Sequence, residues 1–207
     1  MNDLKCQSNF FFLVGMLFAL CLPFQAFAQK SNFVFDLAPG SFAVGFKVVN
    51  QYDYSRTYQS RIDALGNERT GPRGRPVQTS IWYPAVSKEK RQPMLFEEYV
   101  YLFADEEMFV EPSEKSKAEA IGILKRRFPQ MSESALNNEL KVKTNAFKNA
   151  EPATGSFPVI IYAPSLSAPS FENSGLCEYL ASHGYIVVAS PDMGGEFPPD
   201  ACRRSGN

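Results

Sequence analysis

The chain has 207 residues, 44% of them hydrophobic, with 21 basic against 22 acidic side chains and a net charge of −1. Charge this close to balance excludes a partner held by attraction to a polyanion, so no nucleic acid is expected. Length and composition fit one globular domain, and a single histidine leaves no Cys/His ligand pattern, so no metal is expected.

Residues 1–28 read as a secretory signal rather than as part of the fold. Lys5 lies in a short n-region, Phe10 to Leu22 is an apolar run, and Ala26-Phe27-Ala28 has the small-x-small cleavage pattern. Cleavage there leaves a mature chain starting at Gln29, exported to the periplasm or outside the cell, with no stable membrane span. An uncleaved anchor is the alternative, but the apolar run is short for a span and Pro23 interrupts it. A lipid anchor at Cys21 would want a small residue where Leu20 stands. Cys6 and Cys21 leave with the signal. Cys177 and Cys202 remain, in a compartment where a disulfide between them can persist; a buried thiol at Cys177 and an unpaired Cys202 is the other reading.

In the mature chain, Phe42 to Asn50 and Val77 to Tyr83 read as two strands, with Pro84 closing the second. The polar stretch Gln51 to Arg75, punctuated by glycine and proline, makes them an antiparallel pair joined by a long loop. Pro93 to Ala150 is charged and helix-periodic. Its apolar spacing predicts helices over Met94 to Ala104, over Glu114 to Phe128, and from a Ser132 cap to about Phe147. This segment is a helical insertion between the second and third strands. Its apolar stripes pack on the sheet, or it forms a lid, a substrate wall or a membrane-touching face. The basic cluster Lys125, Arg126 and Arg127 reads as a solvated helix end.

The last third is strand, loop, helix, strand. Pro158 to Ala163 is a β-branched apolar run of the kind buried on both faces, a helix runs from about Phe171 to His183, and Tyr185 to Ser190 is the next strand. That is a βαβ unit, so these strands are parallel. Gly184 suits the position after the helix end, where His183 complements the helix dipole rather than serving as a catalytic base. Glu172 favours the helix N-terminus. Ser165, Ser167 and Ser170 stand in a loop with no nearby base. Asp192, just past the last strand, is a pocket-lining candidate, or else a plain turn residue.

Several blocks together resemble a known family: Val44-Gly45-Phe46, Ser55-Arg56, RPVQTSIWYPA from Arg75 to Ala85, FPVIIYAPS from Phe157, and EYLASHGYIVVASP from Glu178. The chain resembles secreted bacterial α/β hydrolases of the platelet-activating-factor acetylhydrolase and dienelactone-hydrolase-like group. The resemblance implies an α/β fold, the N-terminal half of an α/β-hydrolase sheet, with an antiparallel edge pair followed by parallel strands. It implies a Ser-His-Asp esterase without a cofactor, whose partner is a small-molecule ester. One oxyanion-hole N–H in such enzymes comes from the loop after the third strand. Matching that loop to Ala163-Pro164-Ser165-Leu166-Ser167-Ala168 makes Leu166 and Ser167 the oxyanion-hole candidates, with the Leu166 amide as donor. The usual glycines of that loop are missing here.

No G-x-S-x-G occurs in the sequence. The nucleophile, acid and base are expected downstream of Asn207, so residues 29–207 read as a truncated hydrolase domain with its insertion at 93–150, inactive by itself. The competing reading is a non-catalytic lipid- or partner-binding module on a degenerate hydrolase fold.

Overall fold

The computed structural model describes residues 31–33, 37–58, 60–63, 65–86, 91–106 and 109–192. The predicted signal, the Gln29 start, Cys6, Cys21 and Cys202 lie outside the described residues. Five strands form one sheet: β1 (Ala43–Thr57), β2 (Gly74–Ala85), β3 (Ala146–Lys148), β4 (Val159–Tyr162) and β5 (Ile186–Ala189). Their order is β3-β1-β2-β5-β4. β1 and β2 are antiparallel, with Phe46 opposite Trp82, while β4 and β5 are parallel, with Ile160 opposite Val187. The architecture is therefore α/β, an antiparallel pair followed by a parallel pair, as the βαβ pattern requires.

Three expectations need correction. The first pair of strands is longer than its apolar core, because pairing continues through Asp53 opposite Arg75 and reaches Thr57 and Gly74 across an irregularity. The loop is shorter in consequence. The pair is not at the sheet edge either: β3 lies outside β1, and Ala146 and Phe147, expected at the end of the third helix, belong to this parallel strand instead. Three residues are too few for a periodicity to register, and pairing with Val44 to Phe46 decides their conformation.

The third correction concerns β4. Its sequence suggests burial on both faces, yet Val159 is 60% and Ile161 84% exposed. Along a strand, alternate side chains face opposite sides. Val159 and Ile161 share a side with Ile186, Val188 and Ile81, by the pairing register. Among the described residues no helix covers that side. On the neighbouring β5, Ile186 and Val188 are half-buried on that side while Val187, on the other, is fully buried, so β4 is the more exposed of the two strands.

The opposite side carries the core. Helices α1 (Phe96–Val100), α2 (Glu114–Arg127), α3 (Glu133–Leu140) and α4 (Ser174–Ser182) pack there, and a 3-10 turn, Tyr101–Ala104, continues α1. Each helix of the insertion starts for a local reason. Glu98 accepts the Leu95 N–H, Ser113 caps α2 through the Ser116 amide, and Ser132 caps α3 through the Ala135 amide. Phe46, Trp82, Tyr99 and Phe171 form the centre, with ring centroids of Phe46 and Tyr99 4.9 Å apart and edge-to-face. Burial of each such side chain contributes about 1.5–3 kcal/mol. Phe33 joins this layer from the N-terminal side, stacked on Phe96 at 4.8 Å. Glu139 holds the preceding residues through the Ser31 hydroxyl and both nitrogens of Asn32.

Candidate functional site

The loop between β4 and α4 occupies the C-terminal end of the two parallel strands, the end at which open α/β sheets bind ligands. Its shape is set by a turn in which the Ala168 N–H donates to the Ser165 carbonyl at 2.9 Å. Ser167, the third residue of that turn, has φ +57°. A positive φ at this position is what a type II turn demands, and it is the place where glycine is at ease. The sequence departs from the glycine-rich pattern here, and the serine adopts the left-handed conformation nonetheless.

Three side chains hold the turn. The Asp192 carboxylate accepts the Ser167 N–H at 2.8 Å, while the Asp192 amide donates to the Ala168 carbonyl at 3.0 Å. This ties the loop after β4 to the end of β5. Glu172 accepts the Ser165 N–H at 2.9 Å and the Tyr162 hydroxyl at 2.9 Å. The Tyr162 oxygen in turn accepts from the Asn173 amide. Arg127, at the end of α2, donates to the Ser167 carbonyl. Burial alone would raise the Glu172 carboxyl, but the hydrogen bonds from Ser165 and Tyr162, together with the Arg127 guanidinium, hold it below the ordinary carboxylate range.

The two oxyanion-hole candidates are therefore placed differently. The Ser167 amide is occupied by Asp192. The Leu166 amide has no partner among the described residues, and the Leu166 side chain is 83% exposed. Asp192 reaches the loop rather than standing as an isolated turn residue. Glu172 precedes the first residue of α4 by two, and its carboxylate turns back onto the loop instead of onto the helix end. Arg127 likewise does more than solvate a helix terminus.

The other residues lie elsewhere. Ser170 is buried, with its hydroxyl 2.8 Å from that of Ser80. His183 closes α4, its Nδ1 2.8 Å from the Tyr179 carbonyl, at the start of β5 and so at the end of the strands opposite Asp192. Gly184 follows with φ +93°, the conformation expected after that helix end. Cys177 is a free buried thiol on α4, pushed up to about 12 by burial and the nearby Glu178 carboxylate.

The sequence reading missed one buried polar chain. The Trp82 indole N–H donates to the Tyr99 hydroxyl at 2.8 Å, and Tyr99 donates to Glu178 at 2.9 Å. The second Glu178 oxygen accepts the Asn145 N–H at 2.9 Å. Burial raises the Glu178 carboxyl above its ordinary value despite these bonds. The chain links β2, α1, the strand-entry residue Asn145 and α4, beneath the loop rather than in it. Among the described residues no group of three His, Cys, Asp or Glu side chains is placed to hold a metal ion, and no helix is long and apolar enough to cross a membrane.

The chain matches no protein-family profile and no curated protein. Among solved structures it is similar to a ferulic acid esterase from Streptomyces cinnamoneus, with 22% sequence identity and a TM-score of 0.46. The match covers 78% of this chain and 38% of the esterase chain, so the chain spans well under half the length of that structure.

Proposed function

We propose that these residues form the first part of an exported serine hydrolase acting on carboxylic esters, with short-acyl or phospholipid esters as its substrate class. The observation that carries the reading is the Leu166 amide. It is an unpartnered N–H on a turn that Asp192, Glu172 and Arg127 hold in place, at the ligand-binding end of two parallel strands. Such a fixed donor suits the negative oxygen that develops when an ester carbonyl is attacked. A donor of this kind stabilises that charge without reorganising during the reaction.

In the resembled enzymes the second donor follows the nucleophile on a G-x-S-x-G elbow, and Asp and His come later in chain order. No G-x-S-x-G is present in the 207 residues. The reading therefore assigns nucleophile, acid and base to polypeptide outside this sequence, and it assigns this part the roles of oxyanion donor and pocket wall. The α/β sheet, the loop's position and the sequence blocks around Arg75 and Glu178 support it.

The test is turnover of an activated short-chain ester, 4-nitrophenyl acetate. The 207-residue chain is expected to match buffer. A chain extended through the downstream reading frame is expected to hydrolyse the ester, and Leu166→Pro in that chain should lower kcat by about 10²–10³, the usual effect of losing one oxyanion donor. Turnover by the 207-residue chain that disappears in Ser165→Ala or His183→Ala would overturn the reading. So would an extended chain that folds and does not turn over ester.

A further inference from the structure

Beside the loop, between it and the helical insertion, lies a cavity of about 370 Å³. Its walls are aromatic and aliphatic: Phe33, Phe103, Leu124, Phe128 and Phe171, with Ala168 and Pro169 from the loop itself. The walls are preformed. Phe103 and Phe171 meet edge-to-face at 5.0 Å, Phe33 meets Phe128 edge-to-face at 4.9 Å, and Leu124 is buried in the core. Charge appears at only two lining residues. Glu172 is engaged by Ser165 and Tyr162. Arg127 lies with its guanidinium carbon 5.4 Å from the Phe103 ring centroid and donates to the Ser167 carbonyl. The cation thus stands between an apolar chamber and the turn that presents the Leu166 amide.

We propose that this cavity is the acyl site of the ester hydrolase inferred above, and that it takes a small apolar acyl group, one aromatic ring on a short spacer or a short alkyl chain. The carboxyl end of that group lies toward Arg127 and the turn. Size decides the class. Small-molecule sites span roughly 300–1,000 Å³, and this one is near the lower bound, too small for the long acyl chains of a phospholipid. Lining decides the polarity, because apolar walls with one cation near the exit favour an apolar body ending in a carboxyl or ester oxygen. The inference rests on the esterase reading for its link to catalysis and on the cavity alone for binding. It also gives the insertion a role, since Phe103, Leu124, Arg127 and Phe128 all come from it.

The test uses the purified 207-residue chain with methyl-labelled leucines, titrated with 3-phenylpropanoate. The Leu124 methyl resonances are expected to move and saturate, while those of Leu136 and Leu140 in α3 stay. Hexadecanoate should leave Leu124 unmoved. Leu124→Trp, which fills the chamber, should weaken binding at least tenfold. Arg127→Gln should weaken 3-phenylpropanoate and spare the uncharged 3-phenylpropan-1-ol. An unmoved Leu124 at millimolar 3-phenylpropanoate would overturn the proposal without recourse to any variant, and so would undiminished binding in a folded Leu124→Trp chain. Ester turnover by the extended chain without binding at Leu124 would sink the acyl site alone. Binding at Leu124 with no turnover in the extended chain would sink the esterase reading and the acyl assignment with it.

Discussion

The Ser167 amide donates to the Asp192 carboxylate at 2.8 Å, and these two residues, 25 apart in sequence, join the C-terminal ends of β4 and β5. The bond fixes which amide of the turn is engaged and which is presented. With Ser167 committed, Leu166 carries the remaining donor. Asp192 is half-buried, and a hydrogen bond to a charged acceptor contributes about 1.5–3 kcal/mol where water is excluded, less where it is not. Asp192→Ala should therefore cost about 1 kcal/mol of stability. Amide hydrogen exchange at Ser167 should accelerate at least tenfold relative to that at Ala189 in β5. Unchanged protection at Ser167 would mean that the carboxylate does not hold the turn.

The left-handed conformation of Ser167 leads to a second expectation. A Cβ in this region costs roughly 1–2 kcal/mol, and glycine avoids that at the expense of more unfolded-state freedom. Ser167→Gly should raise Tm by about 1–3 °C, using about 2–4 °C per kcal/mol for a chain of this size. Ser167→Val, a branched residue least suited to positive φ, should lower it. Thermal unfolding of the three chains should rank them glycine, serine, valine; a valine variant as stable as the glycine variant would contradict the φ of +57°.

Glu178 makes stability depend on pH in a stated direction. Burial raises its carboxyl above the ordinary value of 4.5, outweighing the hydrogen bonds from Asn145 and Tyr99. A carboxyl with a raised folded value binds its proton more tightly in the folded chain than in the unfolded one. Its contribution is complete below the unfolded value and is lost as pH rises through the folded value. Denaturant unfolding should show this loss starting near pH 4.5 and continuing upward, with a flatter profile in Glu178→Gln. A Glu178→Gln profile as steep as the parent's would assign the dependence to another group. Tyr99→Phe removes the acceptor of the Trp82 N–H and one of the two donors to Glu178, and should cost about 2–3 kcal/mol.

The open side of β4 predicts self-association. Exposed apolar side chains on an edge strand whose backbone is also unpaired form a template for pairing with another chain. Ile161 is 84% exposed and touches little, so Ile161→Lys should leave Tm within about 2 °C while shifting sedimentation toward monomer. Val187→Lys, on the buried side of the adjacent strand, should instead abolish folding. Equal association by the parent and the Ile161→Lys chain would place the sticky surface elsewhere.

Local physics wrote much of this protein into its sequence. β-branched runs specified the cores of β1, β2, β4 and β5, a 3.6-residue period specified α2, and Ser132 and Gly184 marked helix ends through their own hydrogen bonding and φ. The resemblance over Ala163 to Ala168 names Leu166 as a donor, and the fold adds that its amide has no partner among the described residues. What sequence could not decide is which side chains lose water and which meet across the fold. Glu178 reads as an ordinary helical glutamate, yet it is 2% exposed because Tyr99, 79 residues away, and Asn145, 33 away, close over it. Arg127 reads as a helix-end charge, yet it meets Ser167, 40 residues on. The apolar run of β4 reads as core, yet half of it faces outward, because burial depends on whether another layer arrives and not on the strand itself. Propensity acts over a few residues, whereas desolvation, pairing and cavity walls belong to neighbours that only the tertiary structure supplies.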